Sequence, residues 1–300
     1  MILVTGGAGV LGSRLVLGLR ARGESVRVVT LPGDPGAARL AEAGCEIAFA
    51  DVSDAASLAG AFDGADTVFH LAGVIIASDP EVYRRVNVGG VRNAVDGALA
   101  AGARHFVYVS SAAALHPDGS AYARSKADGE RIVRGARGVR HTIVRPTLIY
   151  DRGGGQEIML FLAALRRFPV VPFVGRGRAL KSPVHADDVV RGLVAIAGNE
   201  VAYGKTYAFS GGEAITIREL GELLLAAHGE RRPFLTIPVP LCRLLAAALE
   251  RVMEDPPLTR YGISRIVEDA ALDHSAARAD LGYDPIGVRE GLARCYGKAR

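Results

Sequence analysis

The sequence predicts an α/β protein built on a doubly wound parallel sheet, with a smaller C-terminal substrate lobe. Three observations support this. The chain opens with a strand, a glycine turn and a helix within its first 22 residues. Short β-like runs then alternate with helical patterns through residue 145. After Arg145-Pro146 that rhythm gives way to glycine- and proline-rich stretches. Strands alternating with helices imply βαβ units, and so a parallel sheet covered on both faces. The fixed hand of the crossovers makes the sheet doubly wound, a Rossmann-like arrangement.

The elements follow in order. Met1-Ile2-Leu3-Val4 is a short apolar run that leads into Thr5-Gly6-Gly7-Ala8-Gly9-Val10-Leu11-Gly12 and then an amphipathic stretch, Ser13 to Arg22. This layout lets backbone approach a pyrophosphate at a helix N-terminus, where peptide N–H groups and the helix dipole favour negative charge. Gly6 would form the turn, Gly9 would admit the phosphates, and Gly12 would let the helix pack on the strand. A glycine-rich turn without a ligand is the alternative, and the strand–turn–helix context weighs against it. Further strands are expected at Ser25–Thr30, Glu46–Ala50, Thr67–His70, His105–Ser110 and His141–Arg145, with helices such as Tyr83–Ala101 and Tyr122–Arg137 between them. Beyond Pro146 come glycine-rich Arg152–Gly155, helix-like Ile158–Arg166 and Pro-rich Phe168–Phe173. Helical patterns recur at Asp187–Ala197, Ile217–His228 and Leu241–Arg251. The expected division is a dinucleotide-binding domain at residues 1–150 and a mainly substrate-binding lobe at 151–300, with some elements returning to the main sheet.

Composition narrows the function classes. Hydrophobic residues make up 49% and charged residues 23% of 300, which is a globular balance with room for a large core. The net charge is only +4, and the arginines are scattered among acids, so no nucleic-acid partner is expected. Cys45, Cys242 and Cys295 lie far apart without metal-ligand spacing. They imply a reducing, cytoplasmic setting, inert thiols and no metal site. The first strand is expected to begin at residue 2, so no signal peptide is expected. The apolar stretch from Phe234 to Leu249 is interrupted by Pro238, Pro240 and Arg243, so no membrane span is expected.

The chemistry is expected from Ser111, Tyr122 and Lys126. Tyr122 and Lys126 are four apart in a helical run and share one face. Ser110 and Ser111 close the preceding strand at the carboxyl edge of the sheet, where ligands bind in open α/β folds. A phenol titrates near pH 10, too high for a base at neutral pH, and a nearby ammonium lowers that value. Tyr122 would then exchange a proton with a hydroxyl or carbonyl oxygen that Ser111 holds in place. A lone Tyr-x-x-x-Lys pair is usually a surface pair. The glycine turn and the strand-end serines, in this chain order, favour the functional reading.

With these motifs in place, the chain resembles the extended branch of the short-chain dehydrogenase/reductase superfamily, the nucleotide-sugar epimerase/dehydratase group, over nearly its whole length. The T-G-x-x-G-x-x-G motif matches Thr5–Gly12, the adenine-side acidic residue matches Asp51 followed by Val52, and H-x-A-[GA] matches His70-Leu71-Ala72-Gly73. The helix asparagine matches Asn87, V-S-S matches Val109-Ser110-Ser111, and Y-x-x-x-K matches Tyr122–Lys126. The R-P-x-x-[IV]-Y segment matches Arg145–Tyr150, V-H-x-x-D matches Val184 to Asp188, and the terminal pattern spans Asp273 to Pro285. The resemblance implies an NAD or NADP site formed by Gly6, Gly9, Val10, Leu11, Gly12, Thr30, Asp51, Val52, Leu71, Ala72, Gly73, Asn87, Tyr122, Lys126 and Pro146. It also implies a homodimer joined through the helices Tyr83–Ala101 and Tyr122–Arg137.

Departures from the family bear on the substrate. Sugar 4,6-dehydratases of this group usually carry Thr-Asp-Glu where this chain has Ser111-Ala112-Ala113, and alanines cannot supply the acid and base that dehydration needs. Lys181 stands where nucleotide-sugar enzymes often have a diphosphate-gripping arginine, and a lysine lacks the bidentate fork. Arg260 and Arg265 are nearby candidates for a second cation. With Ser111, Lys181 and Arg265 as substrate contacts, the leading expectation is an epimerase or ketoreductase acting on a nucleotide sugar. The alternatives are a dehydrogenase of an apolar secondary alcohol and a non-catalytic cofactor-binding protein. The second strand ends at Thr30-Leu31-Pro32, with Asp34 a little beyond, and Arg14 and Arg39 could reach a 2′-phosphate or equally be helix-surface arginines. NAD and NADP are therefore both open.

Overall fold

A computed structural model describes residues 1–152, 155–253 and 256–297. Gly153 and Gly154 of the expected glycine-rich stretch lie outside the described residues. Seven parallel strands form the main sheet. Six of them are β1 (Ile2–Thr5), β2 (Val26–Thr30), β3 (Glu46–Phe49), β4 (Thr67–His70), β5 (His105–Val109) and β6 (Arg140–Pro146). The seventh is Thr206–Phe209, and across the sheet the order is Thr206–Phe209, β6, β5, β4, β1, β2, β3. From β1 the chain winds outward through β2 and β3. It then returns to β4 on the other side of β1 and winds the opposite way. The reversal lies between β1 and β4, where Thr5 pairs with His70, and ligands bind beyond the carboxyl ends of strands at such a point.

The central strands are apolar because both faces are covered. Every residue of β1, β4 and β5 is buried. Leu3, Val68, Phe106, Tyr108 and Ile143 pack with Val91, Ala94, Val95 and Ala98 in one core cluster. The first helix, Val10–Ala21, buries Gly12, Leu15, Val16 and Leu19 along one face. A longer helical stretch starts at Pro80, where the Asp79 carboxylate accepts the Glu81 N–H at 2.8 Å. It is wound as a π-helix over Tyr83–Gly89 and continues as α-helix over Gly90–Ala100.

Two compact units interleave along the chain. The first comprises Met1–Pro146, Asp187–Phe209 and His274–Tyr283. The second comprises Thr147–Ala186, Ser210–Asp273 and the chain from Asp284 onward. Residues 187–209 and 274–283 thus return to the unit that holds the main sheet. The second unit has its own core, in which Ile158, Leu162, Leu165, Phe173, Leu220, Leu224 and Leu292 meet. Its strands come in pairs: Ile149–Tyr150 with Val184–His185, Leu180–Lys181 with Ile215–Thr216, and Val171–Val174 with Phe234–Ile237. Among the described residues no helix is long and apolar enough to cross a membrane.

Candidate active site

Of the four glycines in the turn, the three spaced at 6, 9 and 12 are there for different physical reasons. Gly6 has φ +67°, and a Cβ there would lie 2.8 Å from the Ala72 backbone. A Cβ on Gly12 would lie 2.2 Å from the Gly6 carbonyl oxygen, so only glycine lets the helix start so close to the turn. Gly9 differs. Its φ of −65° and ψ of 171° suit any residue, and a Cβ would meet only the Gly6 oxygen, at 3.3 Å. Gly9 caps the helix without a side-chain hydrogen bond, and Val10 beside it is 67% exposed. N–H groups without a side-chain cap at the positive end of a 12-residue helix, with the Gly6 oxygen alone close to where a Gly9 Cβ would stand, fit a pyrophosphate.

Neighbouring loops line up on this turn. The Leu71 N–H donates to the Thr5 carbonyl at 3.1 Å, which holds Ala72 against Gly6. Asn87 secures the next residues: its Oδ1 accepts the Val74 N–H at 2.7 Å, and its Nδ2 donates to the Val74 carbonyl and to Ser125 Oγ. Gly73 lies beside Asn87 and Lys126, since a Cβ there would sit 3.1 Å from Asn87 Oδ1 and 3.6 Å from Lys126 Nζ. After β2 the Thr30 hydroxyl donates to Asp34 Oδ2 at 2.8 Å, while Asp34 Oδ1 accepts the Gly36 N–H. Asp51 Oδ1 accepts the Ser53 N–H, and the buried Val52 offers its carbonyl to Asn93. Arg14 forms an ion pair with Asp187, which draws it away from a role at a 2′-phosphate.

At the end of β5 the chain turns sharply. Ser111 Oγ accepts the Ala113 N–H at 3.1 Å and caps the single turn Ala112–Leu115. That turn packs on the helix Ala121–Gly135, whose start is fixed by Ser120 accepting the Ala123 N–H. The helix carries Tyr122 half-buried, its ring edge-on to Tyr83 at 6.0 Å. One turn on, Lys126 is 6% exposed. Its Nζ donates to the Val109 carbonyl at 3.1 Å and sits 5.2 Å over the Tyr108 ring. Burial pushes the Lys126 ammonium down to about 8, against an opposing pull from Glu130. Among the described residues Val109 is its single hydrogen-bond acceptor. A buried ammonium with N–H groups to spare fits a polar ligand such as ribose hydroxyls.

Sequence reasoning missed what lies beneath. Glu130, one turn beyond Lys126, is 2% exposed and accepts from Arg145 at 2.8 and 2.6 Å and from Ser110 Oγ at 2.7 Å. Burial raises the Glu130 carboxyl, but Arg145, Ser110 and Arg134 together bring it below its usual range. The ion pair ties the helix to β5 and β6 and so fixes Ser110, the neighbour of Ser111. The 122–126–130 spacing was the available signal. His70 is fully buried and hydrogen-bonded through Nδ1 to Thr5 Oγ1 at 2.8 Å. Burial drives it down to about 3, so it is neutral and structural.

Lys181 and Arg265, expected as substrate cations, belong to the second unit. Lys181 is 7% exposed, and its Nζ donates to the Arg265 carbonyl at 2.8 Å and to the Glu268 carbonyl. These carbonyls end the helix Arg260–Val267, so the ammonium serves as its C-terminal cap. Two of its three N–H groups thus face backbone oxygens, a different setting from the diphosphate grip that the sequence led one to expect. Arg265 keeps a loose ion pair with Glu157 at 3.8 Å. Arg260, the other candidate, is held by Glu250 at 2.7 Å.

The burial of Lys126 has a measurable signature. Its folded value of about 8 lies below the ordinary 10.5. The unfolded chain therefore binds more protons between about pH 8 and 10.5, and stability rises with pH across that window. Without cofactor, Lys126→Met is expected to abolish this rise and to equal or exceed the parent at pH 7 by about 1–2 kcal/mol, even though the Val109 carbonyl loses its donor. Urea midpoints over a pH series would check this. A variant weaker by more than about 2 kcal/mol would show that the ammonium supports the fold.

Known proteins resemble this chain in sequence and in fold. The family model for the NAD dependent epimerase/dehydratase family matches residues 2–208. A 3 beta-hydroxysteroid dehydrogenase/Delta 5-->4-isomerase of Mycobacterium tuberculosis is 29% identical, over 98% of this chain and 89% of its own. A 2-alkyl-3-oxoalkanoate reductase of Stenotrophomonas maltophilia is 30% identical, over 98% and 97%. Among solved structures, a DesIV double mutant, the dTDP-glucose 4,6-dehydratase of Streptomyces venezuelae with NAD and DAU bound, superposes with a TM-score of 0.76. It is 26% identical and covers 99% of this chain and 95% of its own. Glycine turn, strand-end serine, buried lysine and these likenesses agree: the chain belongs to the NAD dependent epimerase/dehydratase family and is an enzyme that works with a nicotinamide dinucleotide.

Proposed function

We propose that the enzyme interconverts a ketone and a secondary alcohol on an apolar small molecule. The observation that carries this reading is Lys181, whose ammonium gives two of its three N–H groups to the Arg265 and Glu268 carbonyls, which leaves it a weak grip for a diphosphate. The hydroxysteroid dehydrogenase and the oxoalkanoate reductase among the relatives support it. The glycine turn would hold the dinucleotide, whose nicotinamide would supply or accept the hydride. Ser111 donates a hydrogen bond to the substrate oxygen. In reduction Tyr122 gives its phenolic proton to that oxygen, and in oxidation its phenolate takes the proton back. Lys126 stabilises the phenolate by its charge and holds the ribose with its remaining N–H groups. Ala112 and Ala113 offer neither acid nor base, which disfavours dehydration.

A nucleotide sugar is the second reading, favoured by the dTDP-glucose dehydratase neighbour and by the loosely paired Arg265. Two assays separate them. On the apolar reading, NADH or NADPH is consumed with long-chain or steroidal ketones. Uridine and thymidine diphosphate at millimolar levels then leave the thermal midpoint of the cofactor-loaded enzyme unchanged. Protection by either diphosphate, approaching about 2.7 kcal/mol at 100 times its dissociation constant, together with inert ketones, would reverse the choice.

A further inference from the structure

The second unit brings together three side chains that the hydride chemistry does not use. Asp151 follows the strand Ile149–Tyr150, His185 ends the strand Val184–His185, and Cys295 lies near the end of the helix Val288–Tyr296. All three are buried, at 5%, 4% and 4% exposure. Their donor atoms, one carboxylate oxygen, one imidazole nitrogen and one sulfur, all lie within 4.8 Å of one another. From this convergence we propose that Asp151, His185 and Cys295 form a binding site for a divalent transition-metal ion of zinc type.

The geometry distinguishes a metal site from a proton relay. In a relay the carboxylate and the thiol sit on opposite nitrogens of the ring, so their atoms stand roughly 7 Å apart. Here the oxygen and the sulfur lie within 4.8 Å of each other. Cys295 Sγ lies 3.5 Å from His185 Nε2. Zinc bound to sulfur at about 2.3 Å and nitrogen at about 2.05 Å, at a tetrahedral angle, has a sulfur–nitrogen edge of roughly 3.5 Å. Donor chemistry narrows the ion. A mixed oxygen, nitrogen and sulfur set suits zinc, whereas magnesium and calcium take oxygen ligands. Thiolate and carboxylate together carry the two negative charges that a divalent cation neutralises in a buried place. With three protein donors, zinc takes its fourth from water.

Surrounding contacts hold the donors in place. The Arg152 N–H donates to Asp151 Oδ1 at 2.6 Å, and the Tyr296 hydroxyl donates to the Asp151 carbonyl at 3.4 Å. Arg152 Nε donates to the Cys295 carbonyl, and the His185 ring is edge-on to Tyr150 at 5.5 Å. Such outer contacts orient metal ligands. The ion would tie the last helix of the chain to two strands formed more than a hundred residues earlier. It acts in the second unit and leaves the roles of Ser111, Tyr122 and Lys126 untouched.

Chelator-stripped enzyme titrated with Zn2+ alone tests this. The expected result is uptake of one equivalent at micromolar zinc and a thermal midpoint that rises with zinc concentration. Affinity falls at least about 10-fold in Cys295→Ser and in Asp151→Asn, and stays unchanged in Cys242→Ser, which alters a buried thiol elsewhere. Co2+ in place of zinc should give thiolate-to-cobalt absorption in the near ultraviolet, lost in Cys295→Ser. No zinc uptake by the parent, or equal uptake by the Cys295 and Asp151 variants, overturns the proposal. Should those variants fail to fold, the Co2+ spectrum of the parent decides, and absence of the thiolate band overturns it.

Discussion

Tyr122→Phe enzyme is expected to turn over roughly 10²–10⁴-fold more slowly than the parent, with cofactor affinity nearly unchanged. The substitution removes the proton-transfer group and keeps the ring, so the edge contact with Tyr83 survives. Lys126 keeps its bond to the Val109 carbonyl, since that bond comes from the strand below. The loss therefore falls on kcat. Single-turnover hydride transfer, followed by nicotinamide absorbance, is the measurement. Turnover near that of the parent would remove Tyr122 from the mechanism.

The glycine turn yields the second large effect, as a contrast between two positions. Gly9→Val is expected to abolish dinucleotide binding while leaving a folded protein. Its backbone angles suit valine, and only the Gly6 oxygen has to yield slightly. The added side chain then fills the space the phosphates need. Gly12→Ala is expected to do the opposite kind of damage, because a Cβ 2.2 Å from the Gly6 oxygen forces the helix off the turn. The cost is about 1–3 kcal/mol of stability or more. Calorimetric titration with NAD, beside thermal midpoints, separates loss of ligand from loss of fold. Full affinity in folded Gly9→Val protein would sink the assignment of the turn.

What was legible in the sequence is what sequence spacing encodes. The six strands through β6 stand within a residue or so of their expected ranges, because central parallel strands are unbroken apolar runs bounded by turns. The glycine turn and the pair Tyr122–Lys126 are local patterns too. Thr206–Phe209 was not expected as a strand. It has four residues, only Tyr207 and Phe209 of them buried, and its place is set by pairing with β6. Glu130 and Arg145 were unreadable as a pair because the chain crosses from helix to strand between them. The setting of Lys181 was hidden for a related reason: its charge was visible, but its carbonyl partners come from a helix end more than eighty residues away. The convergence of Asp151, His185 and Cys295 likewise leaves no trace in sequence spacing.

The late position of Thr206–Phe209 has a consequence for how the chain is made. Synthesis delivers the N-terminus first, and β6 ends at Pro146. Until residue 206 emerges, the outer edge of β6 has no strand beside it. An open edge of parallel sheet is a template for another chain. A stop codon between 146 and 206 would therefore release six strands with an open rim, and such fragments are expected to aggregate instead of serving as a smaller dinucleotide-binding protein.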